Sequence, residues 1–216
     1  MAHDLEFFFD PVCPFAWITS RWVREVQDQT GYSVRWRFIS LAIVNEEKDY
    51  SQFPPAYALV HGAGKRWLRV AAAIDDSAGN DGVAAYYTAL GTRLHTSGLS
   101  REVLGGAPLP DDLLVGALTD VGLDPALAAA VDDESLDARL RSDTETALGR
   151  TGPDVGTPIL TFAPGTDAEN SLFGPVISRI PRGADAVALW DAVRTLAGTP
   201  GFAEFKRSLR DEIDFS

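Results

Sequence analysis

Cys13 is the only cysteine of the 216-residue chain and the residue best suited to covalent chemistry. It follows the largely apolar run 5–9 and the pair Asp10-Pro11, and Pro14 comes directly after it. Proline is favoured at the first position of a helix. The pattern therefore predicts a buried strand, a turn, and a helix that begins at the thiol.

The helix N-terminus is what would activate this thiol. Unpaired backbone N–H groups and the helix dipole stabilise an anion there, and the thiolate is the nucleophilic form of cysteine. We therefore expect a lowered pKa for Cys13, provided that the thiol is not strongly desolvated. The alternative is a buried structural cysteine that acts as a small apolar side chain.

The position three residues after the cysteine, where a dithiol site has its second thiol, is Ala16. No internal disulfide can form in a chain with one cysteine. Any thiol exchange must therefore pass through a mixed disulfide that an external thiol resolves.

The elements around the thiol can be predicted from hydrophobic periodicity. Apolar residues recur at helical spacing from Phe15 to Val26, and the helix should end near residues 29–31. Apolar and polar residues then alternate over 34–38, which is typical of a strand with one buried face. A β–α–β opening favours a parallel strand pair with a right-handed crossover.

The rest of the chain predicts a helical block followed by a hairpin and further helices. We expect four or five helices and no strand between 56 and about 149, with turns at 80–82 and 96–98, a helix start at Asp124-Pro125 and a helix stop at Gly149. The expected later elements are strands at 157–162 and 171–177, and helices over 184–197 and from 199 to about 210. The fold class is therefore α/β: a thioredoxin fold formed by 1–54 and 150–216, interrupted by an all-helical insertion at 55–149.

The segment before the third strand, residues 155–158, forms the second half of the predicted site. In the proposed fold it faces the helix N-terminus, and Thr157-Pro158 is a candidate cis peptide bond. The backbone N–H and C=O of Thr157 would then be available to a substrate backbone or a small thiol. A proline at the first residue of a strand is the ordinary alternative.

Composition excludes several function classes. A net charge of −12 without a dense basic cluster argues against nucleic acid. We expect no membrane span, no export signal and no metal site, and neither a dinucleotide-binding glycine motif nor a nucleophilic serine elbow is present. With a single cysteine, these features predict a cytoplasmic protein.

Four stretches resemble the DsbA-type thioredoxin-fold family, and most closely its actinobacterial branch of mycothiol-dependent reductases (nitroreductases). They are DPVCPFAWITSRW at 10–22, SLAIVNE at 40–46, VGTP at 155–158 and FGPVISRIPRG at 173–183. The resemblance implies a cytoplasmic enzyme that exchanges thiols and disulfides with mycothiol as the co-substrate and no tightly bound cofactor. Some members of the branch reduce nitro-aromatic compounds. Ala16 departs from the dithiol members, so the nucleophile role carries over to Cys13 while the dithiol oxidase role does not.

Further residues are candidates for binding the small thiol around Cys13. Asn45 and Tyr57 could line the cleft, although loop capping and ordinary packing are the alternative for both. His95 resembles the family on a helix expected to overhang the site, where a structural or solvated histidine is the alternative. The remaining candidates adjoin the thiol or the proline segment: Pro14, Phe15, Ala16, Trp17, Thr157 and Pro158, with Phe15 and Trp17 as an aromatic wall.

Three functions remain open. The first is a monothiol oxidoreductase acting on mixed disulfides or small oxidised substrates. The second is an enzyme like kappa-class glutathione transferase or hydroxychromene-carboxylate isomerase, a group that usually has serine at the Cys13 position and activates a bound thiol. The third is a redox-silent binding module whose acidic surface or cleft recruits a protein. The sequence does not indicate the oligomeric state.

Overall fold

The computed structural model describes residues 3–207, 209 and 211–215. Its sheet has four strands, β1 (Leu5–Phe9), β2 (Val34–Phe38), β3 (Ile159–Phe162) and β4 (Asn170–Phe173), in the order β2-β1-β3-β4. β1 pairs parallel with β2 and antiparallel with β3, and β3 pairs antiparallel with β4. The predicted parallel pair and the later hairpin are confirmed, although β4 is shorter than expected.

The helix that follows Cys13 is α1 (Pro14–Thr30). It ends where predicted, because Gly31 adopts a left-handed conformation with a φ of 76° and its N–H donates to the Gln27 carbonyl. Its apolar stripe is buried, and Trp22 donates from Nε1 to the Ala186 carbonyl of α7 (Gly183–Ala197). The predicted α7 is therefore confirmed, and it packs against α1.

Between β2 and β3 the described chain is helical and contains no strand. Its helices are α2 (Leu41–Val44), α3 (Ala56–Gly91), α4 (Leu99–Leu104), α5 (Leu113–Asp120) and α6 (Asp137–Thr151), with a π-helix at Thr92–Thr96 and 3₁₀ turns at Tyr50–Gln52, Pro125–Asp132 and Glu134–Leu136. The predicted helical block is thus present, while the domain boundaries at 54/55 and 149/150 remain a prediction.

Three predicted boundaries are wrong. The turn at 80–82 lies inside α3, which instead kinks at Gly79 with a φ of 72°. At this kink Asn80 hydrogen bonds to both backbone groups of Trp36, with distances of 2.8 and 2.9 Å. The stop at Gly149 is also wrong, because α6 continues to Thr151 and ends at Gly152.

The last predicted helix, from 199 to about 210, is the third error. Residues 202–207 are not helical, whereas positions 208 and 210 lie outside the described residues. Phe205 is 81% exposed, so its side chain gives this segment none of the tertiary packing that stabilises a short helix. No helix in the described part of the chain combines the length and the apolar character of a membrane span.

Candidate active site

The loop from Asp10 to Cys13 is fixed by hydrogen bonds from three directions. The buried Asp10 carboxylate accepts from the backbone N–H groups of Val12 and Leu41, at 3.1 and 2.7 Å. His95 Nε2 lies 2.9 Å from the Pro11 carbonyl. The loop is therefore held in one conformation before any ligand binds.

The Cys13 sulfur lies at the N-cap of α1. The Ala16 backbone N–H donates to Sγ at 3.4 Å, and Sγ donates to the Thr157 carbonyl at 3.5 Å. Thr157 is fixed in turn, because its Oγ1 donates to the Phe8 carbonyl at 3.1 Å. The Thr157-Pro158 peptide bond is cis, as predicted. The two halves of the predicted site therefore meet at the sulfur.

The prediction of a lowered pKa for Cys13 is wrong in this structure. Only 7% of the residue is exposed, and burial raises the pKa of the thiol to about 12. The Ala16 N–H acts in the opposite direction but does not offset burial, and the negative charge of Asp10 adds to the increase. The thiol at rest is therefore protonated, as its bond to the Thr157 carbonyl requires.

A cavity of about 230 Å³ opens beside Cys13 and is mainly apolar. Its floor is the start of α1, one wall is the first third of α3, and the other is formed by α4 and the residues that follow it. The lining residues are Val12, Cys13, Pro14, Phe15, Leu41, Tyr57, Val60, His61, Ala63, Trp67, Leu94, Ser100, Val103, Leu104 and Leu109. A concave apolar site with a few polar groups next to a nucleophile is a default ligand site.

Among the predicted site residues, Pro14, Phe15 and Tyr57 join Cys13 in lining this cavity. Ala16 is fully buried and contributes its backbone N–H to the sulfur. Thr157 contacts the sulfur through its carbonyl, and Pro158 accepts a backbone bond from Gly174 N–H at 2.8 Å.

The other three candidates do not line the cavity. Asn45 is the C-cap of α2, and its Nδ2 donates to the Leu41 carbonyl at 2.7 Å, which is the capping alternative. Trp17 is buried and is not among the residues that line the cavity, so it does not form the expected wall there. His95 does not overhang the cavity, because it is fully buried between Trp17 and Phe215.

His61 and Trp67 were not among the predicted site residues, yet both line the cavity. His61 lies one helical turn after Tyr57, so the i, i+4 spacing of the two residues was an available signal. Asp10, interpreted only as the end of a strand, was missed as the residue that ties the thiol loop to α2. No local pattern indicates that role, because Leu41 lies beyond β2.

The chain matches the model of the Rv2466c-like family, described as mycothiol-dependent nitroreductase Rv2466c, over residues 12–207. It is 34% identical over 212 residues to the uncharacterized protein Rv2286c of Mycobacterium tuberculosis, an alignment that covers 94% of this chain and 81% of that protein.

Two solved structures share its fold. One is a 2-hydroxychromene-2-carboxylate isomerase, with a TM-score of 0.58 and 16% identity over 88% of this chain and 94% of the other. The other is the cytosolic disulfide reductase DsbM of Pseudomonas aeruginosa with GSH, with a TM-score of 0.52 and 16% identity over 78% of this chain and 88% of the other. These similarities confirm the DsbA-like thioredoxin fold.

Proposed function

We propose a function for this chain on the basis of its family: it belongs to the family of the mycothiol-dependent nitroreductase Rv2466c. It is an enzyme of the DsbA-like thiol oxidoreductase or mycothiol-dependent reductase kind. Within that class we assign it monothiol exchange, in which Cys13 reacts with mixed disulfides or small oxidised substrates and mycothiol is the reductant. The supporting observation is a single enclosed thiol at a helix N-cap that adjoins a cavity of about 230 Å³.

The first half of the cycle joins Cys13 to a small thiol. Cys13 Sγ attacks one sulfur of a mixed disulfide in the cavity, an S–S bond to Cys13 forms, and the substrate's S–S bond breaks. The proton of Cys13 leaves with the departing thiol, so atoms and electrons balance. The Ala16 N–H, at 3.4 Å, supports negative charge on Sγ during the attack.

The second half needs another molecule of thiol. Because position 16 is alanine, no neighbouring sulfur can attack the adduct from within the site. An incoming thiol attacks the outer sulfur of the adduct, a new disulfide between the two small thiols forms, and Cys13 is released as a thiol. The incoming thiol is oxidised and the protein returns to its starting state.

The resting state fits a site that reacts only with a bound partner. With a pKa of about 12, Cys13 is almost entirely protonated at neutral pH and reacts slowly with general oxidants. Once deprotonated, a thiolate of high basicity is intrinsically a strong nucleophile. The reaction therefore depends on a partner that enters the cavity and accepts the proton.

The cavity lining supports mycothiol over glutathione as the small thiol. Glutathione carries two carboxylates, whereas mycothiol carries none. Among the described residues that line the cavity there is no lysine or arginine to pair with a carboxylate, and the polar side chains besides Cys13 are those of Tyr57, His61, Trp67 and Ser100. Hydroxyl and imidazole groups suit the sugar hydroxyls of mycothiol. A cytoplasmic location is part of the same proposal.

The monothiol assignment can be tested with Ala16→Cys, which restores the missing second thiol. Protein first treated with mycothiol disulfide is freed of reagent and followed by intact mass without added thiol. The wild-type adduct should persist, while A16C should lose it by forming an internal disulfide. Loss of the wild-type adduct at the same rate as in A16C would contradict the monothiol cycle.

A second candidate is activation of a bound thiol without a covalent intermediate. The observation in its favour is the protonated Cys13, which could donate a hydrogen bond to the thiolate of a bound thiol as a serine hydroxyl would. This function predicts no adduct in the same mass experiment. It predicts instead that the protein lowers the pKa of a thiol bound in the cavity.

A further inference from the structure

A histidine–tyrosine pair lines the same cavity as the thiol. His61, on α3, is buried, and its Nδ1 lies 2.9 Å from the hydroxyl of Tyr50. The Tyr50 ring crosses the imidazole edge-on at 5.7 Å, and the Tyr57 ring packs at 5.4 Å. The imidazole is thus fixed on two sides by aromatic rings and anchored through one nitrogen.

The other nitrogen of His61 is free for a ligand. Nε2 makes no hydrogen bond to any described residue, and it is not among the buried polar atoms left without a partner. His61 lines the cavity, so a ligand bound there meets the imidazole, whose Nδ1 is already engaged by Tyr50. Among the lining residues, the titratable side chains are those of Cys13, Tyr57 and His61.

The protonation states of the pair suit proton transfer. Burial lowers the pKa of His61, so the imidazole is neutral at neutral pH, and burial raises the pKa of Tyr50, so its hydroxyl stays protonated. A tyrosine hydroxyl both donates and accepts hydrogen bonds. The pair can therefore stabilise either tautomer of His61, with Nε2 as an acceptor or as a donor.

We propose that His61, oriented by Tyr50, is the proton carrier of the thiol-exchange cycle. Resting on the monothiol function proposed above, the step is as follows. Nε2 takes the proton of the incoming thiol, whose sulfur attacks the adduct and forms the product disulfide. The bond between Cys13 and the outer sulfur breaks, and the imidazolium returns the proton to Cys13, directly or through one water.

The environment of Cys13 is the reason that this step needs an acid. A leaving thiolate departs faster when its pKa is low, and the enclosed Cys13 has a raised one. Without a proton donor, release of Cys13 would place an unpaired negative charge in an apolar site near Asp10. An imidazolium formed in the preceding step removes that charge as it develops.

Other groups near His61 do not supply the same function. Tyr57, on the same helix, packs against the imidazole at a tilt of 50°, and Asp10 lies in the thiol loop, where its charge adds to the effect of burial in raising the pKa of Tyr50. Lys65, one turn further along α3, is paired with Asp137 at 2.8 Å. His61 therefore remains the lining residue whose neutral imidazole can accept a proton from a bound thiol and return it.

The test isolates the second half of the cycle. The mycothiol adduct on Cys13 is formed first, and its release by added mycothiol is timed by intact mass between pH 6 and 8. His61→Gln keeps a polar side chain of similar size but cannot carry a proton, and His3→Gln is the matched control outside the site. General acid–base catalysis contributes about 10²-fold or more, so release should slow about 100-fold in H61Q at pH 7 and be unchanged in H3Q.

The pH profile separates catalysis from structural support. In H61Q the remaining rate should rise about tenfold per pH unit as the solution supplies thiolate, with a shallower rise in the wild type. Tyr50→Phe, which keeps the ring, should also slow adduct release, but by a smaller factor. This variant replaces H61Q in the test if H61Q does not fold. If H61Q folds, an unchanged rate of adduct release with an unchanged pH slope would overturn the role of His61. If H61Q does not fold, the same result in Y50F would overturn it. A wild-type protein that forms no adduct would overturn both this role and the monothiol function.

Discussion

The two sides of the thiol loop, residues 10–13, are built differently. The front is the cavity at Cys13, which is lined mainly by apolar side chains and also by His61. The back is the cluster of Trp17, Arg21, Tyr87, Gly91 and His95. There the Arg21 guanidinium lies 4.1 Å from the centroid of the Trp17 ring. The His95 ring also stacks with Trp17, with 6.0 Å between the ring centroids.

The same contrast separates the two buried histidines. His61 lines the cavity, and its Nε2 makes no hydrogen bond to a described residue, whereas His95 is fully buried with Nε2 engaged by the Pro11 carbonyl. Burial lowers the pKa of both, to about 4 for His95. The front can therefore exchange protons with a ligand, while the back holds the loop in place. Burial alone does not distinguish a functional histidine from a structural one; a place in the cavity lining does.

The largest expected effect is a loss of stability on substitution of Gly91, which lies in the cluster at the back of the thiol loop. A Cβ at this position would overlap the buried Trp17 ring, and neither the helix nor the indole has room to move. Gly91→Ala should lower the free energy of unfolding by about 3 kcal/mol, measured by urea denaturation. Gly62→Ala on the exposed face of α3, where a Cβ meets nothing within 4 Å, is the control and should stabilise by up to about 1 kcal/mol. Equal changes in the two variants would contradict the tight packing of the back.

A smaller effect is expected in the pH dependence of the unfolding free energy. His95 and Asp10, which both hold the thiol loop, should contribute to it with opposite signs. The folded protein lowers the pKa of His95 from 6.5 to about 4, so the unfolded chain binds more protons between these values. His95 therefore makes stability rise with pH from about 4 to about 6.5. Burial raises the pKa of Asp10 from 3.8 to about 7, so Asp10 makes stability fall as the pH rises from about 4 to about 7.

Variants separate these opposing contributions. Asp10→Asn removes the falling component, so its stability should rise with pH more steeply than that of the wild type. His95→Gln removes the rising component, so its stability should fall with pH. Each substitution should change the difference in unfolding free energy between pH 4 and pH 7 by on the order of 2 kcal/mol. Urea denaturation at several pH values between these limits measures it. Parallel curves for the wild type and both variants would show that neither group titrates differently in the folded state.

Local sequence signals predicted the elements near the thiol well. The apolar stripe of α1, its glycine end and the alternation in β2 depend on neighbours a few residues away, and the structure has all three. The turn at 80–82 was misplaced because Gly79 kinks the chain while α3 resumes after it. The final helix is absent over 202–207, where Phe205 is 81% exposed and supplies no packing to stabilise a short helix.

The site itself was predicted only in part, because its chemistry depends on coverage from distant elements. Position alone indicated a helix-stabilised thiolate at Cys13, but α3 and α4 enclose the thiol and burial outweighs the helix N-terminus. Resemblance placed His95 at the site, and its position after β2 made Asn45 a candidate, whereas the hydrogen bonds of both go to backbone carbonyls. His61 becomes recognisable only when Tyr50 and Cys13 are seen to share one cavity.

The most direct test of Cys13 as a monothiol nucleophile compares two reagents on the wild-type protein from pH 6 to 9. With iodoacetamide, we expect an alkylation rate that rises about tenfold per pH unit without a plateau, because the thiol at rest is protonated. With mycothiol disulfide, we expect a single adduct on Cys13 that forms readily at pH 7 and that added mycothiol removes. A plateau in alkylation near pH 6 to 7, together with no mycothiol adduct, would contradict this role of Cys13.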